Sequence, residues 1–224
     1  MESEAWHHHR LESVQQILRV VGREWRLFAY LVLMMTLFMF LSHGTQDLYP
    51  DFLKTEMRIP TNYVSYLAIL YNIGAIVGAV IFGMASERLG RRWAIVTALA
   101  LTLFAIGPWA FGSSLWILAA GAFLMQAGVQ GAWGIVPAHL NELSPDSARG
   151  LIPGLAYQLG ILIAAPTNNI EYALRSKFGY HWALAGFEIA TMILLGAVVV
   201  MGRENHGKDF VPVRVAELSA QESP

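Results

Sequence analysis

Six apolar stretches, 28–48, 63–85, 93–111, 114–138, 151–173 and 181–201, alternate with polar connections along the chain. Each is about 20 residues, the length that carries an α-helix across a hydrocarbon core of roughly 30 Å. Helices satisfy their backbone hydrogen bonds within one segment, as a membrane interior demands. The pattern predicts an all-α membrane protein with six transmembrane helices over residues 28–202. The connections are short except for the polar one from Tyr49 to Asn62. Residues 1–27 read as a polar, amphipathic segment with an interfacial helix. Leu11, Val14, Ile17, Leu18 and Val21 form an apolar stripe that leads through Arg19, Arg23 and Arg26 to the first span. No apolar core of a cleavable signal peptide precedes that span, so it is expected to direct insertion itself. Residues 203–224 read as a polar, disordered tail.

Composition narrows the class. Hydrophobic residues make up 55% and charged ones 14%, with a mean hydropathy of +0.46, which is too apolar for an ordinary soluble domain. The net charge of −1 and the lack of a basic block give no sign of a nucleic-acid partner. The chain has no cysteine, which excludes disulfides, thiol catalysis and cysteine-based metal sites. The triplet His7-His8-His9 reads as a solvated loop, with surface metal binding as the alternative.

An even number of spans puts both termini on one side. If that side is cytoplasmic, the inner segments hold Arg10, Arg19, Arg23, Arg26, Arg88, Arg91, Arg92, Arg149, Arg203, Lys208 and Arg214. The outer segments then hold only Lys54, Arg58, Arg175 and Lys177. This bias predicts cytoplasmic termini in a plasma (inner) membrane.

Polar groups within the spans are the candidate chemistry. Ser42-His43-Gly44-Thr45-Gln46-Asp47 ends the first stretch, with His43, Gln46 and Asp47 at i, i+3 and i+4 and so on one helix face. An ionised group inside a bilayer costs at least a few kcal/mol, a cost tolerated where the face meets a protein interior or a wet cavity. The expectation is transport. Asn72 is the polar candidate of the second span, whose Gly74, Gly78 and Gly83 read as helix-packing positions. The third span carries no strong polar residue and is expected to face lipid, with a kink at Pro108. Gln126 and Gln130, at i and i+4 in the glycine-rich fourth span, can bind a solute or glue helices together. Gln158 and the run Pro166-Thr167-Asn168-Asn169 lie in the fifth, where the Asn pair is expected to cap a turn, with solute binding as the alternative. Glu188 is the one charge of the last span, a proton relay or a structural hydrogen-bonding group.

Two connections carry motifs. Gly83-Met84-Ala85-Ser86-Glu87-Arg88-Leu89-Gly90-Arg91-Arg92 resembles the loop signature G-x-x-x-[DE]-R-x-G-[RK]-[RK] of the major facilitator superfamily, with Gly83, Glu87, Arg88, Gly90, Arg91 and Arg92 matching. Pro137 to Gly150, with Glu142 and Arg149, resembles the superfamily's P-x-x-x-x-E…R-G loop. The first-span motif is similar to N-x-x-[ST]-H-x-[ST]-Q-D-x-x-x-T of the fungal lactate permeases and the bacterial lactate/sialate-type symporters. Ser42, His43, Thr45, Gln46 and Asp47 match, while Met39 replaces the Asn and Asp51 the final Thr.

The resemblance implies one half of a major facilitator fold, the C-terminal six helices, working by alternating access. It makes residues 1–27 the end of a cytoplasmic linker. It implies proton coupling at His43 and Asp47, and binding of a small organic acid, such as lactate or a sialic acid, by Ser42, Thr45 and Gln46. Asn72, Gln126, Gln130 and Gln158 are candidates for the same site. The motif loops, with Glu142 and Arg149 pairing to the basic turn, would form a conformational gate. An imidazole changes charge near neutral pH, which suits the coupling role. No metal or organic cofactor is implied. An N-terminal half is the implied partner, in the same gene or as a separate chain. A homodimer and a fragment of a disrupted gene are the other expectations, the fragment foremost. An intramembrane enzyme would need a nucleophile or metal constellation that the sequence does not offer. A non-transporting fragment or scaffold is the remaining rival.

Overall fold

The computed structural model describes residues 19, 21–145, 149 and 151–205. The elements within them are all helical: α1 (Trp25–Gln46), α2 (Tyr49–Thr55), α3 (Thr61–Leu89), α4 (Arg91–Phe111), α5 (Leu115–Leu143), α6 (Ile152–Ala164), α7 (Thr167–Phe178) and α8 (Tyr180–Met201). Among the described residues, five helical segments are long and apolar enough to cross a membrane: α1 with α2, α3, α4, α5 and α8. Of the interfacial helix expected within residues 1–27, all but residues 19 and 21–27 lies outside the described residues, as does the tail after Asn205.

α5 is the centre of the packing, and small residues put it there. Gly78 of α3 leaves no room for a Cβ, because Ala127 Cα and C would lie 2.6 Å from it. On another face of α5, a Cβ at Gly121 would lie 2.7 Å from Trp109 Cα of α4. Without side chains between them the backbones approach closely, and dispersion replaces the solvent-driven burial that a membrane cannot supply. α1 packs on α6 by the same device, since a Cβ at Gly160 would meet Met35. α8 then closes against α1 and α4. At the turn between α3 and α4, Gly90 takes φ +82°, a conformation that favours glycine.

Four expectations are corrected. The fifth stretch is not one helix, because Pro166 divides it into α6 and α7. Proline has no N–H to donate and crowds the preceding turn. Ala165 keeps helical dihedrals across the break, and the Thr167 hydroxyl donates to Ala164 O at 2.5 Å. Asn168 and Asn169 lie within α7 instead of capping it. The Tyr49–Asn62 connection is not simply polar loop, since α2 buries Tyr49, Phe52 and Leu53. Their i, i+3, i+4 spacing gives that helix its apolar face.

The third span does not simply face lipid. One face of α4, from Ala94 and Ile95 through Ala98, Thr102 and Ala105 to Trp109, is buried. Small residues there meet α5, while Phe104 and Leu103 remain exposed. α3 is the most exposed of the long helices, with Ile69, Ile73, Ile76 and Val80 uncovered. Gly83 differs from Gly74 and Gly78 in that a Cβ there would have nothing within 4 Å.

Candidate functional site

The last two turns of α1 hold two neighbouring polar groups instead of one shared face. Helical pitch sets Gln46 off from His43 by roughly 60° about the axis, which turns the two residues to different neighbours. Gln46 Nε2 donates to Gln126 Oε1 on α5 at 3.1 Å and to Ser42 Oγ at 3.3 Å. Gln126 Nε2 donates to Thr45 Oγ1 at 3.2 Å, and Thr45 in turn donates to Leu41 O at 2.8 Å. Ser42, Thr45, Gln46 and Gln126 thus form one network across α1 and α5. Gln126 and Thr45 are buried, while Gln46 and Ser42 are half-buried. The amide groups can present donors and acceptors to a carboxylate or hydroxyl solute.

His43 Nδ1 and Asp47 Oδ2 stand 3.1 Å apart, with the two side chains 45% and 35% exposed. That exposure keeps the pair open to water or solute. On the next side of α1, Gly44 lies against α8. A Cβ there would collide with Glu188 Oε1 and Phe187. The absence of a side chain at Gly44 brings a fully buried carboxyl up to the backbone between His43 and Thr45.

The remaining candidates from the sequence do not join this site. Asn72 is exposed on α3 and donates to Ala68 O of its own helix at 2.7 Å. Gln158 is exposed on α6, and Gln130 is half-buried on α5 with no hydrogen bond to the network. Among the described residues no group of three or more His, Cys, Asp or Glu is arranged to hold a metal ion.

At one end of the bundle, the two motif loops meet. Arg91 Nη2 and Nε donate to Glu142 Oε1 at 2.9 and 3.1 Å, and Nη1 donates to Glu87 Oε1 at 2.7 Å and Ser86 Oγ at 2.6 Å. Arg149 Nε donates to Asn141 O at 3.2 Å. Arg92 Nε donates to Val199 O at 3.0 Å and its guanidinium also reaches Val200 O, at the C-terminal turn of α8, where backbone carbonyls lack helical partners. Arg88 is exposed.

The sequence pattern gives no sign of the closing contacts. Glu204 accepts from the backbone N–H groups of Arg91 and Arg92 at 3.2 and 3.0 Å, and Asn205 Nδ2 donates to Glu142 O at 3.1 Å. A carboxylate on the first N–H groups of a helix also complements its dipole. Glu204→Ala is expected to destabilise the fold by about 0.5–1 kcal/mol. Thermal unfolding of the purified protein checks this, and an unchanged midpoint would remove Glu204 from the closure.

A second network forms at the opposite end. Arg175 Nη1 and the Tyr180 hydroxyl both donate to Asp51 Oδ2, at 3.2 and 3.0 Å, and the guanidinium lies 4.0 Å from the centroid of the Tyr180 ring. Asp51 thereby ties α2 to α7 and α8. This is the position where the symporter pattern has Thr.

Residues 27–204 match the family model described as "Sugar (and other) transporter". The chain belongs to this family, within the major facilitator superfamily. The family match agrees with an all-α integral membrane protein and with transporters, not enzymes, as its relatives. A "Carboxylic acid transporter protein homolog" of Saccharomyces cerevisiae is 39% identical over 168 residues, covering 75% of this chain and 27% of the relative. A "D-xylose transporter" of Levilactobacillus brevis is 30% identical over 156 residues, covering 66% and 33%. "Probable polyol transporter 3" of Arabidopsis thaliana is 29% identical over 155 residues, covering 67% and 30%. The chain thus spans about a third or less of the length of these relatives.

Proposed function

We propose that this chain forms the C-terminal six-helix half of a proton-coupled symporter for a small organic acid, a monocarboxylate such as lactate or a sialic acid. The observation that carries the reading is the pairing of His43 with Asp47 beside the Ser42–Thr45–Gln46–Gln126 network, at the end of a membrane helix. The carboxylic acid transporter homolog among its relatives supports the substrate class over a sugar.

In this reading, His43 and Asp47 take up a proton, and a protonated His43 holds the carboxylate of the solute. The neighbouring amides and hydroxyls orient its remaining polar groups. The exposed faces of α3 and α6, with Asn72 and Gln158, turn toward an N-terminal half across the solute path, and half-buried Gln130 lines the same path deeper in. The Arg91 end is cytoplasmic, in a plasma membrane. Gly83, Glu87, Arg88, Gly90, Arg91, Arg92, Glu142 and Arg149 form a latch that is closed in the present arrangement and releases as that side opens.

Uptake of labelled lactate or sialic acid by the complete transporter tests the reading. Asp47→Asn is expected to reduce uptake driven by an inward proton gradient by about a hundredfold, while membrane insertion is retained. Normal proton-driven uptake by that variant would sink the coupling assignment. The absence of any acid uptake by the unsubstituted transporter would sink the substrate class.

A further inference from the structure

Two carboxyl groups lie deeper than the His43–Asp47 pair. Glu188 on α8 is 0% exposed and Glu171 on α7 is 1% exposed. None of their four carboxylate oxygens has a hydrogen-bond partner among the described residues. Glu188 stands on α8, which packs on both α7 and α1, and α7 also touches α1. Glu188 also presses on Gly44. Glu188 is thus buried against the polar end of α1, and Glu171 in the helix packed beside it.

Among the described residues neither carboxyl forms an ion pair. Arg175 stands at i+4 from Glu171, the spacing of a helical ion pair, yet its guanidinium is bonded to Asp51 and lies over Tyr180. At this end of α1 the titratable groups are His43 and Asp47, and His43 is bonded to Asp47. α4, packed on the other side of α8, has no titratable residue from Trp93 to Phe111. Because Glu188 and Glu171 are covered by this chain, a second polypeptide cannot reach them without movement. A carboxyl buried for structure is ordinarily hydrogen-bonded, and among the described residues these have no such partner. An ionised carboxylate left unpaired in such a place is strongly disfavoured, and two adjacent ones more so. The ligand that fits without a cavity or further donors is the proton.

We propose that Glu188 and Glu171 form a second, internal proton-binding site, loaded and emptied through Asp47. In loading, Asp47 and Glu171 come within hydrogen-bond reach, the O–H bond of the Asp47 carboxyl breaks and an O–H bond forms on Glu171. Asp47 is left as the anion, and the same exchange passes the proton from Glu171 to Glu188. The site then holds the proton away from the solute. Its part in coupling rests on the transport reading, but its occupancy by a proton does not.

Infrared difference spectroscopy on the full chain in lipid bilayers, with pH jumps, reads the occupancy without any solute. The protein at neutral pH is expected to show the carbonyl band of protonated carboxyls in apolar surroundings. Glu188→Gln, matched in size, is expected to remove part of it, and Glu171→Gln to remove part and shift the rest. Asp51→Asn, at the outer network, should leave the band alone. A band unchanged in both glutamine variants overturns the proposal, as does a band abolished by sodium, which would assign the site to that cation. Both variants must elute as the unsubstituted protein does. If one fails to, Glu→Asp at that position is read instead and should shift the band.

Uptake by the complete transporter supplies the second arm. Glu188→Gln is expected to lower proton-driven accumulation by about tenfold or more, while solute exchange at equal pH stays within about twofold. Unaltered accumulation overturns the coupling role. If the unsubstituted transporter moves no acid, the transport reading fails while the infrared result still decides the proton site.

Discussion

Arg91→Ala is expected to lower the stability of the bundle by about 3–5 kcal/mol, the largest single-residue loss at its motif end. The Arg91 and Glu142 side chains are 7% and 4% exposed, and the guanidinium makes three contacts with that one carboxylate, at 2.9, 3.1 and 3.2 Å. Removing the cation leaves a desolvated anion without its counter-charge, and that uncompensated burial dominates the effect. Glu87, bonded to the same arginine, is 63% exposed, so Glu87→Ala is expected to cost less than about 1 kcal/mol. Arg91→Lys keeps the charge but loses the fork that spans Glu142, Glu87 and Ser86, and should fall between the two. Joint replacement by Met at Arg91 and Leu at Glu142 should recover most of the loss, since no charge is then stranded. Thermal unfolding of the four purified variants separates these outcomes. Equal small losses for Arg91→Ala and Glu87→Ala would mean that the buried pair does not hold this end. In the complete transporter, Arg91→Ala should also slow the transport cycle with little change in substrate preference.

The contrast between Arg91 and Arg92 shows where sequence reading stops. Both match the loop signature, and adjacent positions on a helix point about 100° apart, so one enters the interior and the other runs along the end of α8. The pattern cannot say which. Glu204 lies 113 residues from Arg91 and belongs to a segment with no periodicity, so its capping of α4 has no local signal. By contrast, the helices α1, α3, α4, α5 and α8 are written plainly in runs of apolar residues. The polar cluster is legible because Ser42 to Asp47 interrupts such a run, and Gln126 because glutamines are rare in one.

What the spacing does not settle is partnership. His43, Gln46 and Asp47 share one face by spacing alone, but their neighbours separate them: α5 takes Gln46, while His43 and Asp47 face each other. Glu188 is visible as a lone charge, but the expected alternative of a structural hydrogen bond finds no partner among the described residues. Pro166 signals the break in the fifth stretch, yet its flanking Asn pair reads as a cap when the helix-end carbonyl of Ala164 is taken by Thr167. The buried face of α2 is present in the spacing of Tyr49, Phe52 and Leu53, and is masked by the polar residues around it.

Gly78→Leu tests the packing that positions the whole site, and its expected cost is above about 3 kcal/mol, beyond ordinary overpacking. The obstacle at Gly78 is backbone: Ala127 Cα and C would lie 2.6 Å from the first added carbon, and Ala127 O closer still. A side chain can rotate away from an intruding methyl, but a helix backbone must move as a unit. α5 cannot retreat either, because its Gly121 rests on the backbone of Pro108 and Trp109 and its Gly128 on Thr102 of α4. Displacing α5 would also carry Gln126, next to Ala127, away from Gln46 and Thr45. The variant should therefore lose its monodisperse elution in detergent or unfold at a much lower temperature. Gly83→Leu, on the same helix, meets nothing within 4 Å and should leave the stability within about 0.5 kcal/mol of the unsubstituted protein. If both substitutions were equally tolerated, the close approach of α3 to α5 would not hold the fold. If both were equally damaging, general intolerance of leucine for glycine in α3, and not contact with Ala127, would be the cause.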